Sequence, residues 1–175
     1  MADQFDDTYS RVLAEAEVSA VADAIAVAEA EYAAVGLADR LRASVGVVVL
    51  IRVADLDQSL TGAVSVVADR AVAVEDADRA AVWIVPFAAV AAISGLAADH
   101  RRPADRVDQQ RSMGMLLRPA VGSEVVLAVA GAEYRGRLQR VGSDHVQMLL
   151  GAAPTVVPFA SLQWLRVPAA AGPPR

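Results

Sequence analysis

The chain of 175 residues contains no cysteine, no lysine and no asparagine, and aromatic residues make up only 5% of it. Without cysteine there is no disulfide, no thiolate metal site and no cysteine nucleophile, and a reducing compartment is the fitting environment. Without lysine, all 16 basic residues are arginine, a choice that a GC-rich genome explains without appeal to function. With so few aromatics, the 55% hydrophobic content is carried mainly by Ala and Val, which build thin, tight cores. The first basic residue is Arg11, preceded by Asp3, Asp6 and Asp7, so the positive start of a signal peptide is missing and a cytoplasmic protein is expected.

Ala80 to Ala98 is uncharged and about as long as a membrane-spanning helix. Pro86 near its middle and Gly95 near its end argue instead for a pair of buried strands, and no membrane partner is expected.

From Phe5 to Tyr32 the apolar residues Phe5, Tyr9, Val12, Ala16, Val21, Ile25, Ala28 and Tyr32 recur at mostly helical spacing, and Gly36 stops the run. Residues 1–40 carry nine acids against Arg11 and Arg40. Residues 1–36 therefore read as an acidic amphipathic helical arm, which packs on the rest of the chain, docks a partner helix or self-associates.

Beyond the arm, short Val- and Ile-rich runs alternate with Gly and Asp, the pattern of successive strands. These runs repeat. Leu41, Arg42, Val45 and Gly46 match Leu117, Arg118, Val121 and Gly122; Val53 and Ala54 match Val129 and Ala130; Gly62 matches Gly136 and Asp69 matches Asp144. Val85-Pro86-Phe87-Ala88 returns as Val157-Pro158-Phe159-Ala160. Each copy reads as a short helix and about five strands, too closely spaced for parallel crossovers. In the second copy the strands are expected near Ser123 to Ala130, Glu133 to Val141, His145 to Leu150, Thr155 to Pro158 and Ser161 to Val167. A small five-stranded sheet buries its apolar face by curling into a barrel, which removes most of its exposed edge. Pro86 and Pro158, unable to donate to a ladder, belong at strand corners as one-turn helices.

The expected organisation is a first barrel at residues 37–97, a basic helical linker at 98–116, a second barrel at 117–168 and a disordered Ala/Gly/Pro tail at 169–175. Pro103 suits the first position of a linker helix running to about Leu117, ended by Pro119.

Gly131-Ala132-Glu133-Tyr134-Arg135-Gly136-Arg137-Leu138 resembles the turn and second strand of Sm-like small β-barrels, the family of eukaryotic Sm proteins and bacterial Hfq. That resemblance implies an RNA-binding barrel, although the closing Arg-Gly or Lys-His signature of the family is replaced here by Val-Pro-Phe. Trp83 to Val90 is similar to the closing stretch of SH3 domains, which supports a barrel and names no ligand. The whole arrangement resembles a group of actinobacterial proteins labelled Fis-family transcriptional regulators, which implies a regulatory role. The fold class these point to is mainly β with a helical arm (α+β): two five-stranded antiparallel Sm-like or SH3-like barrels in tandem.

The chemistry-bearing motifs are sparse. His100 and His145 have no carboxylate spacing around them that suits a metal, and no nucleophile elbow, phosphate loop or dinucleotide fingerprint occurs. Asp55, Asp57, Glu75, Asp76 and Asp78 fall in expected turns, where solvated acids are common. No catalytic residue, metal or cofactor is expected.

Charge is uneven: from residue 97 onward ten Arg face six acids. On a strand Arg135 and Arg137 share a face, and with Arg140 and the neighbouring Tyr134 they make a candidate phosphate-contacting strip or an ordinary solvated face. Arg101, Arg102 and Arg106 of the linker are candidates for the same surface. The expectation is a non-enzymatic regulatory binding module with nucleic acid, RNA by preference, as its partner. The alternative is a protein-interaction or assembly module using barrel edges and the N-terminal helix.

Overall fold

The structure is a computed structural model that describes residues 21–30, 32–54, 59–78, 80–98 and 111–173. The chain divides into two units, residues 1–36 and 37–175. In the first, residues 21–30 and 32–33 are helical and leave Val21, Ile25 and Tyr32 exposed. Phe5 and Tyr9, the other large members of the arm's stripe, lie outside the described residues.

The second unit is mainly β. It contains α1 (Leu37–Ala43), β1 (Val48–Val53), β2 (Ser59–Val67), β3 (Ala71–Asp76), β4 (Ala81–Pro86) and β5 (Val90–Ser94). There follow α2 (Met113–Leu117), β6 (Glu124–Val129), β7 (Ala132–Val141), β8 (His145–Leu150), β9 (Ala153–Pro158) and β10 (Leu162–Pro168). Pro86 and Pro158, which have no N–H to give to a neighbouring strand, each lead into a 3-10 turn, Phe87–Ala89 and Phe159–Ser161.

All neighbouring strands pair antiparallel in one sheet, in the order β5-β1-β2-β3-β4-β10-β6-β7-β8-β9. This corrects the expectation of two closed barrels. Closing either half would require its fourth strand to pair with its own fifth, and β4 instead pairs with β10 through Leu165↔Ile84, Arg166↔Trp83, Val167↔Val82 and Pro168↔Ala81. The result, among the described residues, is one open ten-stranded sheet.

The repeat is visible in the hydrogen bonding. Ile51↔Ile93 and Leu50↔Ser94 in the first half correspond to Leu127↔Leu165 and Val126↔Arg166 in the second, with a register shift at the same place. The Phe87 N–H bonds the Arg70 carbonyl and the Phe159 N–H bonds that of Asp144. The structural counterpart of Asp144 is therefore Arg70, one residue from the Asp69 that matches it in sequence. At Gly62 and Gly136, which are counterparts, a Cβ would run into the backbone carbonyl of Glu75 and of Leu149 respectively. Only glycine lets these two strands approach their neighbours so closely.

The two cores interlock. One gathers Leu41, Val49, Ile51, Val64 and Val74 from the first half with Ala128 and Trp164 from the second. The other gathers Leu116, Leu127, Leu138, Met148 and Leu165 with Val66, Ala73, Val82 and Ile84 from the first half. Strands β3 and β4 are consequently apolar on both faces, and each fully buried Val, Leu or Ile at this junction contributes roughly 1.5–3 kcal/mol.

Of the helix expected from Pro103 to about Leu117, residues 103–110 lie outside the described residues, and the described part is not helical from its start. Arg111 and Ser112 are non-helical, and the Ser112 hydroxyl caps α2 by accepting from the Met115 N–H. In the segment expected to be a disordered tail, Ala169–Ala171 form a 3-10 turn, with the Ala169 N–H donating to the Ala80 carbonyl. Among the described residues no helix is long and apolar enough to cross a membrane; the uncharged run Ala80 to Ala98 supplies β4 and β5 instead.

Candidate functional site

The charged surface with most definition is the outward face of β7. Pairing of Arg135 with Val126 and of Arg137 with Glu124 sets both arginines on the side opposite buried Leu138. Simple alternation would turn Arg140 the other way, into the core with Leu138. A register shift between Leu138 and Arg140 adds one residue to the strand, and Arg140 emerges opposite Gln147 on the outward side. Arg135, Arg137 and Arg140 are all exposed there. Tyr134, paired with buried Leu127, belongs to the opposite face.

A fourth arginine joins them. The pairings Arg135↔Val126, Val126↔Arg166 and Arg166↔Trp83 form one row across four strands. Arg166 lies 5.2 Å from the centroid of the Trp83 ring and 3.6 Å from Asp76. Trp83 in turn meets Trp164 edge-on at 4.9 Å, which fixes the platform beneath the guanidinium. Arg135 and Arg166 line an open cleft of about 290 Å3 together with Glu124, Val126 and Val167. Sequence reasoning missed Arg166 because its neighbours arise from the β4·β10 pairing, which is distant in sequence; the one available signal was that its counterpart in the first half is uncharged Ser94.

The arginines at 101, 102 and 106 lie outside the described residues, so only Arg135, Arg137 and Arg140 of the expected set are brought together. His145 stands next to the strip at the start of β8, where its Nδ1 lies 2.8 Å from Asp144. The His145 hydrogen bond holds the exposed Asp144 carboxyl below the usual carboxylate value. Among the described residues no three His, Cys, Asp or Glu side chains gather as metal ligands would.

The arrangement offers cationic donors on a ledge of extended backbone, open to a long polyanion, with interspersed acids at Glu124 and Asp76 that limit its strength. No protein-family model and no curated protein matches the chain.

Proposed function

We propose that the chain is a non-enzymatic regulatory binding module that contacts nucleic acid, RNA by preference, through the outward face of β7. The observation that carries this reading is a divergence between the halves. The counterparts of Arg135, Arg137 and Arg140 on β2 are Thr61, Ala63 and Val66, so the basic face belongs to the second half alone. The bulge after Leu138 turns the third arginine outward, onto the side of the other two. The preference for RNA rests on the resemblance to Sm-like barrels, a fold-level analogy.

The test is fluorescence anisotropy of the full chain with labelled single-stranded RNA across a salt series. Phosphate contacts make affinity fall steeply with salt, and Arg135→Ala with Arg137→Ala should flatten the log-log slope by about 0.7 per lost contact. Affinity and slope left unchanged by the double substitution would refute the site. The second reading, an assembly module working through sheet edges, is favoured by the position of β5 at the end of the sheet, with no strand beyond it among the described residues.

A further inference from the structure

From the β7 ledge one row of side chains runs inward across the sheet, from Arg135 through Val126 and Arg166 to Trp83. Arg135 on β7 and Arg166 on β10 flank β6, two strand spacings or roughly 10 Å apart at the backbone. The cleft they line is shared with Glu124, Val126, Val167 and Pro168. Its charged residues Glu124, Arg135 and Arg166 stand where the first half has Val48, Thr61 and Ser94, none of them charged. The chemistry of the cleft therefore belongs to the second half, as the arginine ledge does.

The fold makes little use of these charges. Among the described residues the side chains of Arg135, Arg137 and Glu124 have no hydrogen bond or ion pair, although Glu124 and Arg137 sit opposite each other on the β6–β7 ladder. The Arg166 side chain makes no hydrogen bond. Its ion pair with Asp76 is long at 3.6 Å, and its Nε is closed off from solvent without an acceptor. What holds it is the Trp83 ring, whose centroid lies 5.2 Å from the guanidinium carbon. A planar cation that rests on an indole and borders an open cleft is a platform on which a nucleobase stacks.

We infer that this cleft is a nucleobase subsite of the RNA-binding face, selective for a base that carries an exocyclic amino group. The inference rests on the nucleic-acid reading above and adds to it a place for the base. Phosphates lie along Arg135 and Arg137, the sugar crosses β6, and the base stacks on Arg166 in the cleft that Glu124 also lines. The short apolar side chains of Val126, Val167 and Pro168 border the same space. A carboxylate inside a phosphate-binding surface repels the RNA backbone unless the ligand brings it a donor. The amino groups of cytosine, adenine and guanine are such donors, and a Glu carboxylate accepts well from cytosine N4. Uracil presents a carbonyl oxygen where cytosine has that amino group, so Glu124 repels it.

The test is binding of the full chain to labelled oligocytidylate and oligouridylate RNA of equal length, whose rings match in size and differ at this edge. The wild type should bind oligocytidylate at least about fivefold more tightly, the ratio that one discriminating contact gives. Glu124→Gln, at an exposed position, has an amide that donates to the uracil oxygen and should remove most of that preference. Arg166→Ala should weaken oligocytidylate binding about fivefold or more, as loss of a stacking platform does, whereas Arg135→Ala with Arg137→Ala should weaken both RNAs alike. Equal affinity of the wild type for the two RNAs overturns the subsite, as does a preference that survives Glu124→Gln. So does an Arg166→Ala variant that binds oligocytidylate as the wild type does. If the salt slope still depends on Arg135 and Arg137 in those cases, the ledge stands and only the subsite falls; no binding of either RNA overturns both.

Discussion

The two halves of the sheet share strand order, register, bulge positions and the Gly62/Gly136 close approach, yet their outer surfaces have opposite fates. Ile84 on β4 is 0% exposed and its counterpart Val156 on β9 is 58% exposed. Around Ile84 stand Val66 and Ala73; around Val156 stand Arg140 and Gln147. A duplicated unit thus keeps its internal geometry while one copy turns its outer face into an interface and the other keeps that face polar. The lesson is that shared backbone geometry does not assign shared function, because the bonding of β10 to β4 consumes in one half what the other leaves available.

The largest expected effect separates those counterparts. Ile84→Ala should cost about 2–5 kcal/mol in urea unfolding, as for a buried aliphatic truncation. Val156→Ala should stay within about 0.5 kcal/mol, as at the surface. Equal losses would break the comparison. Where the halves agree, so should their variants: Gly62→Ala and Gly136→Ala should each destabilise by about 1–3 kcal/mol, because the strands must shift to admit a Cβ. A free substitution at either would show that strand to be looser than its counterpart.

Smaller still is the effect of Arg135→Ala with Arg137→Ala on stability, within about 0.5 kcal/mol for exposed side chains, so that lost RNA binding in this variant reports contact and not unfolding. Smallest is Asp144→Asn. The Asp144 pKa is lowered in the folded state by its His145 hydrogen bond, so its contribution is full above the ordinary carboxylate value and is lost as pH falls through the lowered one. Thermal melts should show the wild type and the variant differing slightly near neutrality and converging in acid; a gap that widens in acid would reverse the sign.

Much of the strand layout was legible in the sequence. His145 to Leu150 is bounded by Gly142-Ser143-Asp144 and Gly151, and the strand occupies those residues. The two Val-Pro-Phe corners fold as one-turn helices, each following a proline that cannot donate to a ladder. The open sheet was not legible, because closure depends on which strand reaches the outer edge of β4, a contact between residues about eighty apart. The signal was present in the two-sided apolar character of Ala81–Pro86 against Ala153–Pro158, with its second proline and Thr155. In the linker, Pro103 is the conspicuous start signal, yet it is Ser112 whose hydroxyl caps α2 and sets where that helix begins. At the candidate site, Arg135 and Arg137 followed from alternation alone, while the placement of Arg140 depends on a bulge that no glycine announces.

The most direct test of the divergence is ultraviolet crosslinking in the native cell, followed by mass spectrometry of the nucleotide-linked peptides. The account predicts RNA-linked peptides spanning Ala132–Val141 and none from Ser59–Val67, its counterpart in the first half. Crosslinks on the first-half strand, or no attached nucleic acid beside a working positive control, would contradict it.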